Sequence, residues 1–401
     1  MLQHYLLEFD LAGVPQRWVL RTDGATKLGI GLSRAREFAL QRTLFRAGLK
    51  VAEPLFMCCD PAVLGAPFFL MRFLPGDARG VALVARGAQP ALAEELGREL
   101  ARLHALELRY ALHCLPAPPH DAAEVRIAEL EALLAADDDP HPVGEWALRW
   151  LKQMKPDPAR VALCHGDFRT GNYLVAEGRL AGVLDWDFAH WGDPDEDIAW
   201  FCAKAWRFGA VAREAGGLAP RADFYRGYEV VSGRRIEASR VRYWEVMAAL
   251  RWLVIALKQR DRFLRQGERS LDLALTGRRV AECELELLLL ILGGRAPKEA
   301  NWISRGDGEP PACAPENPMR DRPSGATLAA LAREVGGEEE FVTRCFAIAE
   351  REARLGDAVF APVSASLDAR YGKGNGAALT QLVAELRAGA FDRPGDARQW
   401  L

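Results

Sequence analysis

The chain has 401 residues, half of them hydrophobic and 27% charged, with a formal net charge of −3 at pH 7. That length supports more than one compact core, and the near-neutral balance makes no electrostatic case for nucleic acid or a membrane surface. The eight cysteines form no CxxC pair, the first residues lack a basic and apolar leader pattern, and the apolar run Leu287 to Leu292 is too short to cross a bilayer, so reduced thiols and a cytoplasmic protein are expected.

Residues 3 to 9 and 17 to 22 read as two strands joined by the turn-rich Ala12-Gly13-Val14-Pro15. On the second strand Val19 and Arg21 share a face. A helix is predicted from Arg34 to Ala47, capped by Ser33 and closed by Gly48, with Phe38, Leu44 and Phe45 turned inward. Val51 to Phe56 and Pro67 to Phe73 follow as strands. From Pro90 the pattern is helical: Leu92, Leu96, Leu100, Leu103 and Leu106 recur at three- and four-residue steps, with His104 read as a packing residue. Ala123 to Ala136 is a further helix, and Gly144 to Lys155 leads into a short apolar strand, Arg160 to Cys164.

The stretch His165 to Asp197 carries the chemistry. His165-Gly166-Asp167 falls where strand becomes loop, the usual mounting for catalytic groups. Asn172 follows five residues after Asp167. Tyr173 to Val175 and Leu180 to Leu184 then form a hairpin turning at Glu177-Gly178, and the second strand delivers Asp185. The hairpin brings an amide oxygen and a carboxylate to one end of a small sheet, two hard donors that suit Mg²⁺. Asp167 is left to accept a proton from a hydroxyl, and Arg169 to reach a transferring phosphate. Asp187, two residues beyond Asp185, shares its face if the strand continues, as a second-metal ligand, an acceptor contact or a solvated acid. Asp193 before Pro194 reads as a helix cap. A rival reading gathers His165, Asp167, Asp185, Asp187 and His190 into a two-metal phosphohydrolase cluster; Asn172 argues against it.

Beyond this stretch, helices are predicted over Ile198 to Phe208, Ala222 to Ser232, Ala238 to Leu264 and Ser270 to Leu292. Tyr225, Tyr228, Tyr243, Trp244 and Trp252 read mainly as core. Residues 296 to 323 have linker composition, and 324 to 401 read as a small all-helical domain.

An Asp, an Arg two later, an Asn five later and a second Asp on the next hairpin strand resemble the protein-kinase catalytic loop. With HGD, Asp185-Trp186-Asp187 and Gly192-Asp193-Pro194 running to Asp197-Ile198-Ala199, residues 3 to 295 resemble the aminoglycoside phosphotransferase and choline kinase-like superfamily, in the branch fused to acyl-CoA dehydrogenases. The resemblance implies an α+β, two-lobed protein kinase-like fold: a small antiparallel-sheet lobe over 1–76 and a mostly helical lobe over 77–295. It implies ATP as phosphate donor with Mg²⁺ on Asn172 and Asp185, Asp167 and Arg169 as catalytic residues, and a small-molecule hydroxyl as acceptor, a hydroxyacyl-CoA-like metabolite being one candidate. Val19 would roof the adenine, Arg21 would hold the phosphates with Glu37 as its partner and Lys27 as a fallback, and Met71, Arg72 and Phe73 would line the hinge. Asp197 would brace the catalytic loop. The family pattern also implies a strand and phosphate-covering loop ahead of Gln3, so the expectation is a natural start upstream of Met1. A nucleotide-binding regulator without catalysis is the alternative.

Overall fold

The computed structural model describes residues 3–23, 31–107 and 112–292, with positions 381 and 384. Lys27, the 296–323 linker and, apart from those two positions, the 324–401 domain lie outside the described residues.

Strands β1 (Gln3–Leu11) and β2 (Val14–Thr22) form an antiparallel hairpin. Its two turn residues, Ala12 and Gly13, both have positive φ, the geometry that matches the strand twist. Helix α1 (Arg34–Arg46) follows, then β3 (Pro54–Cys58), the short α2 (Pro61–Leu64) and β4 (Phe68–Arg72). The sheet order is β1-β2-β4-β3, antiparallel throughout. Ser33 caps α1 as predicted. Phe45 is a correction: it is 41% exposed, although helical spacing puts it on the face of Phe38 and Gln41; it lies in the last turn of α1, one turn beyond Gln41. Under the sheet, Phe38, Ala52, Phe69 and Met71 form a small core flanked by Val19, Met57 and Leu74. Ala52 belongs to that core and Val51 is buried too, but both precede the strand; β3 starts at Pro54.

Helices α3 (Gly80–Ala85), α4 (Pro90–Ala105), α5 (Ala122–Ala135) and α6 (Pro142–Gln153) lead to β5 (Ala162–Cys164). The hairpin β6 (Tyr173–Ala176) and β7 (Arg179–Val183) comes next, then β8 (His190–Gly192), which pairs with β5. Helices α7 (Pro194–Cys202), α8 (Arg221–Ser232), α9 (Ala238–Leu264), α10 (Leu271–Gly277) and α11 (Val280–Ile291) complete the described chain. The leucine stripe of α4 is buried at Leu92, Leu96, Leu100 and Leu103. Helices α4 and α8 approach so closely that a Cβ on Gly97 would overlap the Phe224 carbonyl oxygen, and one on Gly227 the Glu94 carbonyl oxygen.

Two predicted helices are shorter than expected. The one reaching Phe208 ends at Cys202 and gives way to a 3₁₀ turn, Lys204–Trp206. The one over 270–292 is interrupted after Gly277, where a Cβ would press on the Arg260 backbone. The chain divides into two compact units, Met1–Val125 with Pro156–Glu245, and Arg126–Lys155 with the chain from Val246. The first holds every candidate site residue. In the second, Arg260 of α9 pairs with Asp137, Asp139 and Asp261. Among the described residues no helix is long and apolar enough to cross a membrane.

Candidate active site

The β5–β8 pair launches the loop from His165 to Asn172, and a buried carboxylate ties its first residues down. Asp197, on α7, accepts hydrogen bonds from the His165 N–H (2.6 Å) and the Gly166 N–H (2.9 Å), and lies 3.2 Å from His104 Nε2. Burial alone would raise its pKa, but the hydrogen bond and charge of His104 outweigh this and hold it below the ordinary value. His104 is fixed in turn by the Tyr228 hydroxyl at 2.9 Å. Gly166 has φ 77°, and a Cβ there would overlap the Phe188 carbonyl oxygen, so glycine is required. His165 is a strut: its Nδ1 accepts from the Asp167 N–H at 3.1 Å, which leaves Nε2 to donate to the Leu184 carbonyl at 2.9 Å. Asp193 caps α7, accepting from the Asp195 N–H at 2.9 Å.

Asp167 is 8% exposed and its carboxylate is surrounded by donors. Trp200 Nε1 donates to Oδ1 at 2.7 Å, Asn172 Nδ2 to Oδ2 at 2.6 Å, and Arg169 Nε lies 3.1 Å from both oxygens. The Arg169 guanidinium stacks over the Trp206 ring, 4.5 Å from its centroid, and Trp206 packs on Trp200. Because the carboxylate only accepts, it fixes the Asn172 amide: Nδ2 faces Asp167, which leaves Oδ1, with no hydrogen bond to the described residues, free on a residue that lines the cleft. The Leu184 N–H donates to the Asn172 carbonyl at 2.8 Å, so Asp185 follows beside Asn172. Asp185, two residues past the end of β7, has φ 61°, a left-handed backbone that leads into the following turn, and it lines the cleft.

On the opposite wall Arg21 is 2% exposed and makes a two-pronged pair with Glu37, Nε to Oε2 at 2.9 Å and Nη2 to Oε1 at 2.8 Å. The same Nη2 reaches Asp185 Oδ1 at 2.7 Å, and Nη1 meets His4 Nε2 at 2.7 Å. A guanidinium has no acceptor to offer, so His4 accepts here and is neutral. Burial, then the Arg21 charge, lower its pKa to about 4. Burial would raise Asp185, but Arg21 outweighs it and keeps that carboxyl below its ordinary value. A cleft of roughly 360 Å³ is lined by Val19, Arg21, Glu37, Met71, Arg72 and Phe73 on one side and Asn172 and Asp185 on the other. Asp167 and Arg169 do not line it; they adjoin it through Asn172.

Asp187 departs from the shared-face reading. The strand ends at Val183 and the chain enters a 3₁₀ turn, Trp186–Phe188, so Asp187 turns away from Asp185 and pairs with Arg34. The phosphohydrolase cluster does not assemble either. His190 is engaged by Glu196 and the Phe188 carbonyl, and His165 by Leu184. Among the described residues His104, Cys164 and Asp197 do come together, but they sit buried behind the loop with both Asp197 oxygens taken. The sequence reading missed Trp200, Arg34 and His4. An aromatic in a helix reads as core, and only the fold brings Trp200 to Asp167.

A sheet-based lobe with a buried cation–glutamate pair, facing a helical lobe that presents Asp, Asn and Asp from one loop and hairpin, is the two-lobed protein kinase-like fold. Within that class, residues 11–237 match the model of the phosphotransferase enzyme family, and the chain belongs to that family. It is 34% identical over 176 residues to acyl-CoA dehydrogenase family member 11 of Gallus gallus, a match covering 41% of this chain and 22% of that protein. To family member 10 of Mus musculus it is 28% identical over 173 residues, covering 42% and 16%. The chain thus matches about a fifth of the length of these relatives. Among solved structures, a Ralstonia eutropha protein assigned to the aminoglycoside phosphotransferases aligns with a TM-score of 0.58 at 21% identity, covering 73% of this chain and 93% of that one. A thermostable mutant of aminoglycoside phosphotransferase APH(4)-Ia, in ternary complex with AMP-PNP and hygromycin B, aligns with a TM-score of 0.50 at 19% identity, covering 73% and 91%. At these identities the structural likeness establishes the fold.

Proposed function

We propose that this phosphotransferase uses ATP and Mg²⁺ to phosphorylate a hydroxyl group of a small molecule. The observation that carries the reading is the arrangement of Asp167, Asn172 and Asp185. One carboxylate is held rigidly beside the cleft, while a freed amide oxygen and an ionised carboxylate share its wall. Asn172 Oδ1 and the Asp185 carboxylate are hard oxygen donors of the kind Mg²⁺ takes, with its remaining positions left to water and phosphate. When bound, the ion would neutralise charge on the phosphate oxygens.

Asp167 orients the acceptor hydroxyl and takes its proton. Arg169, tethered over Trp206, lies two residues from the base and supplies positive charge for the phosphoryl group in transit. Arg21, steadied by Glu37, supplies a fixed cation for the donor phosphates, and its planar fork suits that task. Val19 and Met71 offer apolar cover for a nucleobase. Such chemistry is mostly positioning and electrostatics, so this short set of residues suffices. The likeness to acyl-CoA dehydrogenase family members supports an acceptor of the hydroxyacyl-CoA kind.

The test is transfer from γ-labelled ATP to a metabolite extract, read by mass spectrometry. Wild-type protein is expected to yield a new phosphate monoester, and Asp167→Asn to yield none while still binding MgATP. Nucleotide binding without transfer to any acceptor would instead identify a regulator, and equal transfer by the variant would remove Asp167 as the base.

A further inference from the structure

We infer that Asp187 is a positioning residue that locks α1 to the metal-bearing turn through Arg34, and that it is not a ligand for a second metal ion. The inference rests on the proposed function and concerns the same site. It starts from a closed ring of charged groups. The Asp187 carboxylate pairs with Arg34 Nη2, Arg34 Nη1 with Glu37, Glu37 with Arg21, and Arg21 with Asp185. Two residues of chain return from Asp185 to Asp187. Three carboxylates and two guanidinium groups thus alternate, with Asp23 also 3.0 Å from Arg34 Nε.

Burial makes the Arg34–Glu37–Arg21 part of the ring obligatory, while Asp185 is 27% exposed. Side-chain exposure is 1% for Arg34 and Glu37, 3% for Arg21 and 13% for Asp187, and a buried charge that loses its partner is strongly destabilising. Backbone contacts reinforce the lock: the Leu32 N–H donates to the Asp187 carbonyl at 2.8 Å, and a Cβ on Gly31 would overlap the Asp187 carboxylate. The segment entering α1 therefore lies directly on the 3₁₀ turn. Asp185 lines the cleft and Asp187 does not.

The consequence concerns nucleotide binding. Asp185 Oδ1 is held by Arg21, so an ion held by the same carboxylate would compete with Arg21 for its charge, and Glu37 would be the group that keeps that cation in place. Glu37 can do so only while Arg34 anchors it, and Arg34 is aimed by Asp187.

The test compares full-length wild type with Asp187→Asn, Arg34→Gln and the double variant, reading AMP-PNP affinity by calorimetry across a Mg²⁺ series, with the ligand-free melting transition of each. Each single variant is expected to weaken AMP-PNP about tenfold, the double no further than the weaker single, as befits contacting residues. The steepness of the Mg²⁺ dependence should be the same in all four. If Asp187→Asn alone flattens the Mg²⁺ dependence and the two losses add, Asp187 is a metal ligand and the inference is overturned. If wild type binds no nucleotide, the proposed function fails separately. The ring is then judged by the melting transitions, where non-additive losses support it and additive losses overturn it.

Discussion

Asp197→Asn removes the brace of the catalytic loop while changing almost no volume. In the native protein both Asp197 oxygens are occupied, by the N–H groups of His165 and Gly166, with His104 alongside. The amide can present only one oxygen, so one of the two N–H donors must face an NH₂ group in a fully buried site. Losing a charge-assisted hydrogen bond costs about 1.5–3 kcal/mol, and stranding a buried donor about 1–3 kcal/mol. The expected loss is about 3–5 kcal/mol, or a fall of roughly 6–20 °C in melting temperature for a unit of this size. The pH dependence gives a second readout. The folded pKa of Asp197 lies below the unfolded one, so its contribution is present above the unfolded value of about 3.9 and is lost as pH falls through the folded value. Urea unfolding of both proteins at several pH values should therefore show the largest gap near neutrality, shrinking below about pH 4. A gap under about 1 kcal/mol at pH 7, or one insensitive to acid, would refute the brace.

Gly97→Ala should destabilise the protein by about 1–3 kcal/mol despite the better helix propensity of alanine, because its methyl group meets the Phe224 backbone; an unchanged or higher melting temperature would contradict the close α4–α8 packing. His4 should titrate near pH 4 by NMR, since burial and the neighbouring Arg21 disfavour its cation, whereas a midpoint near 6.5 would mean that it does not accept a hydrogen bond from Arg21. His4 thus favours the folded state above about pH 6.5 and withdraws that contribution as pH falls toward 4.

What could be read from the chain alone was whatever depended on short-range spacing. The α4 stripe, the Ser33 and Asp193 caps and the Glu177-Gly178 turn each follow from a local pattern, and the structure has all of them. The candidate site was legible for the same reason: Asp167, Asn172 and Asp185 lie within one loop and hairpin. The misses depend on long-range meetings. Trp200 reaches Asp167 across 33 positions, and Arg34 reaches Asp187 across 153; neither contact has a local signature. Asp187 itself was misplaced because strand alternation was carried past Asp185, where a left-handed residue turns the chain.

The central claim is that Asn172 and Asp185 cradle one divalent ion beside Asp167. Crystals grown with AMP-PNP and Mn²⁺, with diffraction recorded for the anomalous signal of manganese, locate that ion directly. The account predicts one strong peak about 2 Å from both Asn172 Oδ1 and the Asp185 carboxylate, and none at Asp187. A peak coordinated by Asp187, or none within reach of Asn172 and Asp185 despite bound nucleotide, would contradict it.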